Sequence, residues 1–467
     1  MNGTRLFNTQ HWAQDMFGWC ELGDVRRTRR VVKMAEQLAT HTGRSLARSC
    51  DGDEIVQEGA YRLVRNHHVQ AQALMAGGFL ATARAAAGCA RLLEIQDTTT
   101  LSYRHAVRQG LGELGGPDRR AGSGLWVHSS LLVDADSEQT VGLVEQDYWS
   151  RPAAQRGKRQ RRKERAYQDK ESYKWQRASE RVAARLGETM ARVITVCDRE
   201  ADVFEYLHYQ CQRGERFIVR AAQDRRLWAE EQRLFEQVRR HGAARGQVGV
   251  QVPQRGGRPA RRAVLALRSA AVTLALPKRP DGAELSPLRV NVVLAEETGH
   301  APEKLCWLLL TSEAIADAEQ VQDILRCYGL RWRIEEFHKA WKSGAGVEEL
   351  RMQHRDNLLK MAVLLAFVAV RLLQLREALD NTELAAMPCT QVLGAEEWKL
   401  LWVSTQKRRT LPKDAPTLKW AYLAVAKLGG FTDTKRTGRA SWVTMWLGWS
   451  RLNERINGYR LLREVTA

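Results

Sequence analysis

The sequence predicts an α/β fold: a mixed-sheet core carrying an antiparallel β insertion, flanked by a helical N-terminal domain and a helical C-terminal domain. Three observations carry this reading. Short buried apolar runs alternate with helical stretches between about residues 92 and 220, as in a sheet with interleaved helices. Residues 240–300 then switch to alternating runs broken by Gly and Pro, as antiparallel strands require. Both ends of the chain read as helical. At 467 residues the chain exceeds one simple core, and its 44% hydrophobic share is ample for globular folding. The expected domains are 1–70, 71–375 with the insertion at about 240–300, and 376–467.

Lys and Arg number 73 against 54 Asp and Glu, a net charge of +19 that predicts attraction to polyanions. The eight cysteines form no C-x-x-C pair, and the eleven histidines form no H-E-x-x-H or similar cluster. Reduced thiols in a cytosolic protein are expected. The N-terminus lacks the apolar core of a signal peptide. The longest apolar run, Met361 to Val370, is ten residues, half of a membrane span, so a soluble protein is expected.

Taken in order, Asp24 reads as the N-cap of a helix over VRRTRRVVKMAEQL. Residues 24–48 hold seven basic side chains against two acidic ones. After a break at His41-Thr42-Gly43, a second and a third helical stretch are expected, the last ending in EGAYRLVRN. Small helices with a basic face suit DNA docking, and a merely solvated basic face is the alternative. An Ala-rich helix (71–90) precedes LLEIQDTTTLSYRH, a short buried strand expected to end at Asp97. Strands follow at 126–134 and 140–146. Residues 151–165 carry eight basic residues in fifteen and read as an exposed loop. A helix over about 166–189 leads to RVITVCDREAD, a strand delivering Asp198, then to the helix FEYLHYQCQ and the strand RFIVR. The insertion reads as four runs: VGVQV, AVLALR, AVTLAL and LRVNVVLA. WLLLTSE (307–313) returns to the core, and NLLKMAVLLAFVAVRLLQLR reads as a buried helix. Beyond about residue 380 the chain is helical and holds six tryptophans, which suit a packed core or an interface.

YGLRWRIEEFHKAWK (328–342) has helical period throughout. Leu330, Ile334, Phe337 and Trp341 line one side. Tyr328, Arg331, Glu335 and Lys342 share the other, joined by Trp332 and Lys339. Glu335 could pair with Arg331 and Lys339 as an ordinary surface helix residue. The same face also suits a phosphodiester and a divalent metal. Two strand-end aspartates and a helix-borne glutamate would repel one another unless cations bind. Oxygen ligands of this kind suit Mg²⁺ or Mn²⁺, which leave positions open for water and phosphate. Two such ions about 3.5–4 Å apart can serve phosphoryl transfer.

Asp97-Thr98-Thr99, Asp198-Arg199-Glu200-Ala201-Asp202 and the Tyr-x2-Arg-x3-Glu-x6-Lys helix resemble the three signatures of DDE transposases with an RNase H-like core. The likeness is to the insertion-sequence-four type with the Tyr-Arg-Glu-Lys motif, Tn-five group, and it runs from about Trp12 through SWVTMW at 441–446. It implies cut-and-paste transposition through a DNA hairpin, with Asp97, Asp198 and Glu335 as catalytic metal ligands for Mg²⁺ (or Mn²⁺). It implies that Tyr328, Arg331 and Lys342 grip phosphates beside a flipped base, and that Trp307 stacks on that base. A core tryptophan is the alternative at Trp307. Lys339 and Arg30 are further candidate DNA contacts, with Arg30 and the N-terminal helices reading the terminal inverted repeat. A homodimer holding two ends, in a bacterial cytoplasm at the nucleoid, is also implied. The sequence departs from the pattern in a longer spacing between the aspartates, 198 − 97 = 101 residues, and in a shorter stretch after residue 380. The rivals are a nuclease of the same fold without strand transfer, and a DNA-binding regulator descended from a transposase.

Overall fold

The structure, a computed structural model, describes residues 6, 8–50, 52–114, 122–151, 165–252, 260–277, 285–300, 303–406, 410–434 and 438–466. Nearly all of the basic stretch at 151–165 lies outside the described residues, as do Lys407, Arg408 and Arg409.

Among the described residues, helices α1 (Thr9–Phe17), α2 (Val25–Thr40), α3 (Glu54–Arg65) and α4 (Ala71–Ala86) lead into the core. Asp24 caps α2 as its sequence predicts, its carboxylate accepting from the Arg26 N–H at 2.8 Å. The second helical stretch expected here shrinks to a 3-10 turn, Arg48–Cys50. Gly43 and Gly52 bracket that turn with φ of 80° and 81°, a conformation that favours glycine and stops helix propagation on both sides.

The sheet comprises β1 (Leu92–Tyr103), β2 (Gly112–Glu113), β3 (Ser123–Asp134), β4 (Thr140–Trp149), β5 (Val193–Cys197), β6 (Arg216–Arg220), β7 (Ala243–Val252), β8 (Arg261–Leu274), β9 (Leu288–Glu297) and β10 (Cys306–Thr311). Between β4 and β10 lie α5 (Lys174–Leu186), α6 (Phe204–Arg213) and α7 (Leu234–His241). The core order is β4-β3-β1-β5-β6, antiparallel through β4, β3 and β1 and parallel through β1, β5 and β6, which is the RNase H-like arrangement. The insertion does not form a separate layer: β10, β9, β8 and β7 extend the same sheet from the edge of β6.

Three expectations need correction. β1 does not end at Asp97 but continues to Tyr103, because its antiparallel partner β3 runs alongside for the whole length. Only the parallel pairing with β5 stops there, at Gln96 opposite Cys197. AVLALR and AVTLAL are one strand, β8, since Ser269-Ala270 between them contains no Gly or Pro and pairs with Val293-Val292. Finally, residues 328–342 are not one helix. α8 (Ala318–Gly329) ends in a tight turn, α9 (Trp332–Lys339) restarts, and a wider π turn follows at Ala340–Gly344. Within the break, the Arg331 and Arg333 N–H groups reach only three residues back, to the carbonyls of Tyr328 and Leu330.

Side-chain alternation assigns the two sheet faces. Leu93, Ile95, Leu125, Val127, Ile194, Val196 and Leu309 join the large core under α9 and the helix α10 (Arg355–Ala378). Phe217, Val219, Leu308 and Leu310 face α6 on the other side. α10 is long and apolar enough to cross a membrane, yet 89% of its apolar window is buried inside the fold. It is the central core helix, as its all-round apolar sequence requires. The N-terminal helices share its core: Phe17 and Phe79 pack on Phe367 with ring centroids at 5.5 and 5.8 Å. Two cations of α10 are spent on that junction. Lys360 Nζ donates to the carbonyls of Val64 and Asn66 at 2.9 Å, and Arg371 Nε donates to that of Leu6 at 3.1 Å.

The C-terminal helices α11 (Thr382–Ala386), α12 (Ala395–Thr405), α13 (Leu418–Leu428) and α14 (Trp442–Thr466) enclose a small core of Leu393, Trp398, Leu401, Val425 and Leu452. α13 and α14 cross backbone to backbone, since a Cβ on Gly448 would lie 1.9 Å from the Val425 carbonyl. Trp398 is a core residue, whereas Trp446 is partly exposed and Leu461, Leu462 and Val465 at the end of α14 face outward.

Candidate active site

The aspartates meet through strand register. Asp97 has the parity of Leu93 and Ile95 on β1, and Asp198 that of Ile194 and Val196 on β5. β1 and β5 pair with Gln96 opposite Cys197, so the next positions along that register are Asp97 and Asp198. Both therefore point to the face covered by α9. One oxygen of Asp198 accepts the Glu200 N–H at 2.8 Å, which starts the 3-10 turn Arg199–Ala201.

α9 packs its Ile334 and Phe337 into the core below and carries Glu335 half-buried beside them. Arg331 donates to Glu335 at 2.5 Å. This is the i,i+4 pair that the sequence left open, yet it is not a surface pair. Arg331 is only 16% exposed, and its charge reaches both aspartates. Burial, followed by the neighbouring Asp198 and Glu335 charges, pushes the Asp97 carboxyl up to about 7, against the pull of Arg331. Burial also raises Asp198. Burial thus leaves the two aspartates short of positive charge, and Glu335, held by Arg331, adds its negative charge at Asp97. Among the described residues, no group of three or more His, Cys, Asp or Glu side chains is close enough to cage an ion unaided. This donor set fits a hard divalent cation that keeps positions for water and phosphate, not a closed structural site.

The remaining candidates divide. Tyr328 is buried and meets Trp307 edge-on, ring centroids 5.5 Å apart, with Trp307 half-buried on the same sheet face as Asp97. Lys342 is half-buried on the π turn, where burial lowers its pKa and the charges of Glu348 and Asp97 oppose that shift. Lys339 is turned away: its ammonium sits 4.6 Å over the Trp332 ring and 3.2 Å from Glu336 on the outer surface. Arg30 lies far along the chain on α2, against Gly59 of α3, where a Cβ would come within 2.5 Å of its guanidinium. It lines a basic groove with Arg26, Arg27 and Arg62.

Two family models match the chain: a transposase DNA-binding family over residues 9–69 and a transposase DDE domain over residues 129–371, more than half of the sequence. The chain belongs to the DDE transposase family. It is a metal-dependent enzyme that cleaves and joins DNA. The DDE match contains Asp198 and Glu335 and begins after Asp97, so the claim of Asp97 on this site rests on register and charge.

The transposase also holds residues that sequence reasoning passed over. His338, one turn after Glu335, is buried with Nδ1 3.7 Å from Asp97 Oδ2, and its Nε2 has no partner among the described residues. Its i,i+3 spacing from Glu335 was a usable signal. Lys174, buried at the start of α5, lies 3.3 Å from Glu200 and lends positive charge to Asp198. Asp202, the last member of the Asp-Arg-Glu-x-Asp signature, is structural. It accepts from the Ala222 and Gln223 N–H groups and pairs with Arg225 at 2.5 Å, fixing the end of β6.

Proposed function

We propose that this transposase is of the insertion-sequence-four type and works by cut and paste, with Asp97, Asp198 and Glu335 as ligands of Mg²⁺ in a two-metal site. The observation that carries the reading is the register that sets Asp97 beside Asp198 under the glutamate-bearing helix, with the buried Asp97 carboxyl raised by its surroundings. When bound, the ions supply charge neutralisation and an activated attacking oxygen. The chain's own residues do the rest. Arg331 holds Glu335 in place and carries positive charge toward the strand. Lys342 adds a second cation from the π turn that follows α9. Such positioning supplies most of what protein side chains contribute to phosphoryl transfer.

A hairpin intermediate is favoured over simple nicking by the Trp307–Tyr328 pair, an aromatic surface on the site face that a nuclease without strand transfer has no use for. A flipped base stacked there offsets part of the few kcal/mol that flipping costs. The basic groove around Arg30 is assigned to end recognition, and the outward apolar end of α14 to pairing of two protomers. A labelled transposon-end duplex tests the reading: first nick, hairpin, resolved end and joined product should appear in that order in Mg²⁺. Cleavage that stops at the nick favours the nuclease, and binding without cleavage the regulator.

A further inference from the structure

The face of β1 opposite Asp97 carries a buried hydrogen-bond chain that the reaction does not use. Glu94, Gln96 and Thr98 alternate with Ile95 and Asp97, and the first two are fully buried. Gln96 Nε2 donates to Glu94 Oε1 at 2.8 Å and to Ser179 Oγ of α5 at 3.0 Å. The amide oxygen of Gln96 is thereby left to accept from His128 Nε2 at 3.1 Å. With Nε2 as donor, the neutral imidazole presents a lone pair at Nδ1, and the Thr98 hydroxyl donates to it at 2.9 Å. Burial keeps His128 neutral, as that tautomer requires. The other oxygen of Glu94 accepts from Thr195 of β5 at 2.9 Å. One chain of directed bonds thus ties the residues on both sides of Asp97 to β3, β5 and α5.

The contrast with Asp97 itself is what gives the chain a purpose. On its own face its near side-chain partner is His338 at 3.7 Å, too far for a good hydrogen bond. Metal ligands need placement within about 0.5 Å, and outer partners of a ligand commonly govern metal affinity. We propose that the Glu94–Gln96–His128–Thr98 chain positions Asp97 for the metal, fixing the β1 backbone from the far side of the sheet so that the carboxylate needs no reordering when the ion binds. This rests on the reading of Asp97 as a metal ligand. His128 and Thr98 are positioning residues, since neither faces the substrate.

The test uses the full chain bound to an end duplex. Mn²⁺ affinity is read from the paramagnetic resonance of free Mn²⁺, and the Mg²⁺ concentration for half-maximal nicking is measured beside it. Thr98→Val keeps the side-chain shape and removes the hydroxyl, while Thr98→Ser restores the hydroxyl. His128→Phe breaks both ring bonds. Leu132→Ala, on the same face of β3 but in an apolar cluster, serves as a destabilised control outside the hydrogen-bond chain. Thr98→Val and His128→Phe should weaken Mn²⁺ binding about 10-fold or more and raise the Mg²⁺ requirement equally. Nicking at saturating metal and end binding should stay near normal, and Thr98→Ser should recover. Should His128→Phe fail to fold, Thr98→Val decides alone. Unchanged metal affinity in Thr98→Val, or an equal shift in Leu132→Ala, overturns the proposal. Asp97→Ala separates the two readings: retained Mn²⁺ binding there refutes Asp97 as a ligand, whereas its loss beside a normal Thr98→Val refutes only the positioning chain.

Discussion

The two faces of β1 differ more than their shared backbone suggests. Even-numbered Glu94, Gln96 and Thr98 are satisfied by directed hydrogen bonds, whereas odd-numbered Asp97 stands among like charges and a histidine with an unpartnered nitrogen. Buried polar networks that are fully paired give rigidity, and those left incomplete mark places where something else completes them. One strand therefore carries its scaffold on one side and its chemistry on the other, and the difference can be broken experimentally from either face.

The largest effect belongs to the site face. Asp97→Ala, Asp198→Ala or Glu335→Ala should each cut nicking by more than about 10³-fold, the consequence of losing several kcal/mol of metal-borne charge stabilisation. End binding measured by gel shift should survive, because Arg30 and its groove lie elsewhere. Near-normal cleavage in any one variant would remove that residue from the assignment.

Trp307→Ala comes next. It shares the site face, so the first nick should persist while hairpin formation and opening slow by about 5- to 150-fold, the worth of one lost base–aromatic stack of roughly 1–3 kcal/mol. Packing against Tyr328 makes a melting curve necessary alongside. Equal loss at both steps, with a lowered Tm, would return Trp307 to the core.

A pH comparison sharpens the contrast further. Asp97 and Glu94 are both raised to about 7 in the folded protein, above their unfolded values. Each therefore favours folding below about pH 4, and that contribution is lost as pH rises toward 7. For Asp97 the loss is on the order of 4 kcal/mol, read as a slope in urea stability in the absence of metal. Asp97→Asn should remove its share of the slope, and so should Mg²⁺ added to the wild type. The share of Glu94, removed by Glu94→Gln, should not respond to Mg²⁺. A slope indifferent to both Mg²⁺ and Asp97→Asn would place the metal elsewhere.

The smallest effect lies far from either face. Arg30→Ala should weaken end binding and lower the dependence of log K on log salt by about 1, leaving the nick-to-hairpin ratio unchanged. A changed ratio would mean that Arg30 contacts more than the end.

Much of this was legible in the sequence because its cause is local. The Asp24 cap, the short apolar run of β5 and the apolar surround of α10 each follow from neighbouring residues. Asp97 and Asp198 stood out as aspartates at the ends of apolar runs. That they would be neighbours, and would face the same side, depends on a parallel register formed across 101 residues. No local pattern encodes it. The continuous helix expected over 328–342 failed for a similar reason. Its period is correct, but anchoring Tyr328 against Trp307 and Phe337 in the core of α10 requires a break at Leu330-Arg331. Lys339 shares its period with Glu335, yet the π turn and Trp332 draw it outward. His128, Gln96 and Glu94 were invisible as a group, because His128 on β3 meets Glu94 and Gln96 of β1 only after the sheet has paired.

The central claim is that Asp97, Asp198 and Glu335 hold one divalent-metal site. The most direct measurement replaces Mg²⁺ by Fe²⁺ in the protein–end complex and maps where hydroxyl radicals generated at the ion cut the polypeptide. The account predicts three cuts, near residues 97, 198 and 335, competed away by Mg²⁺ and lost together in Asp97→Ala. Cuts confined to other segments, or a pattern that survives Asp97→Ala, would contradict it.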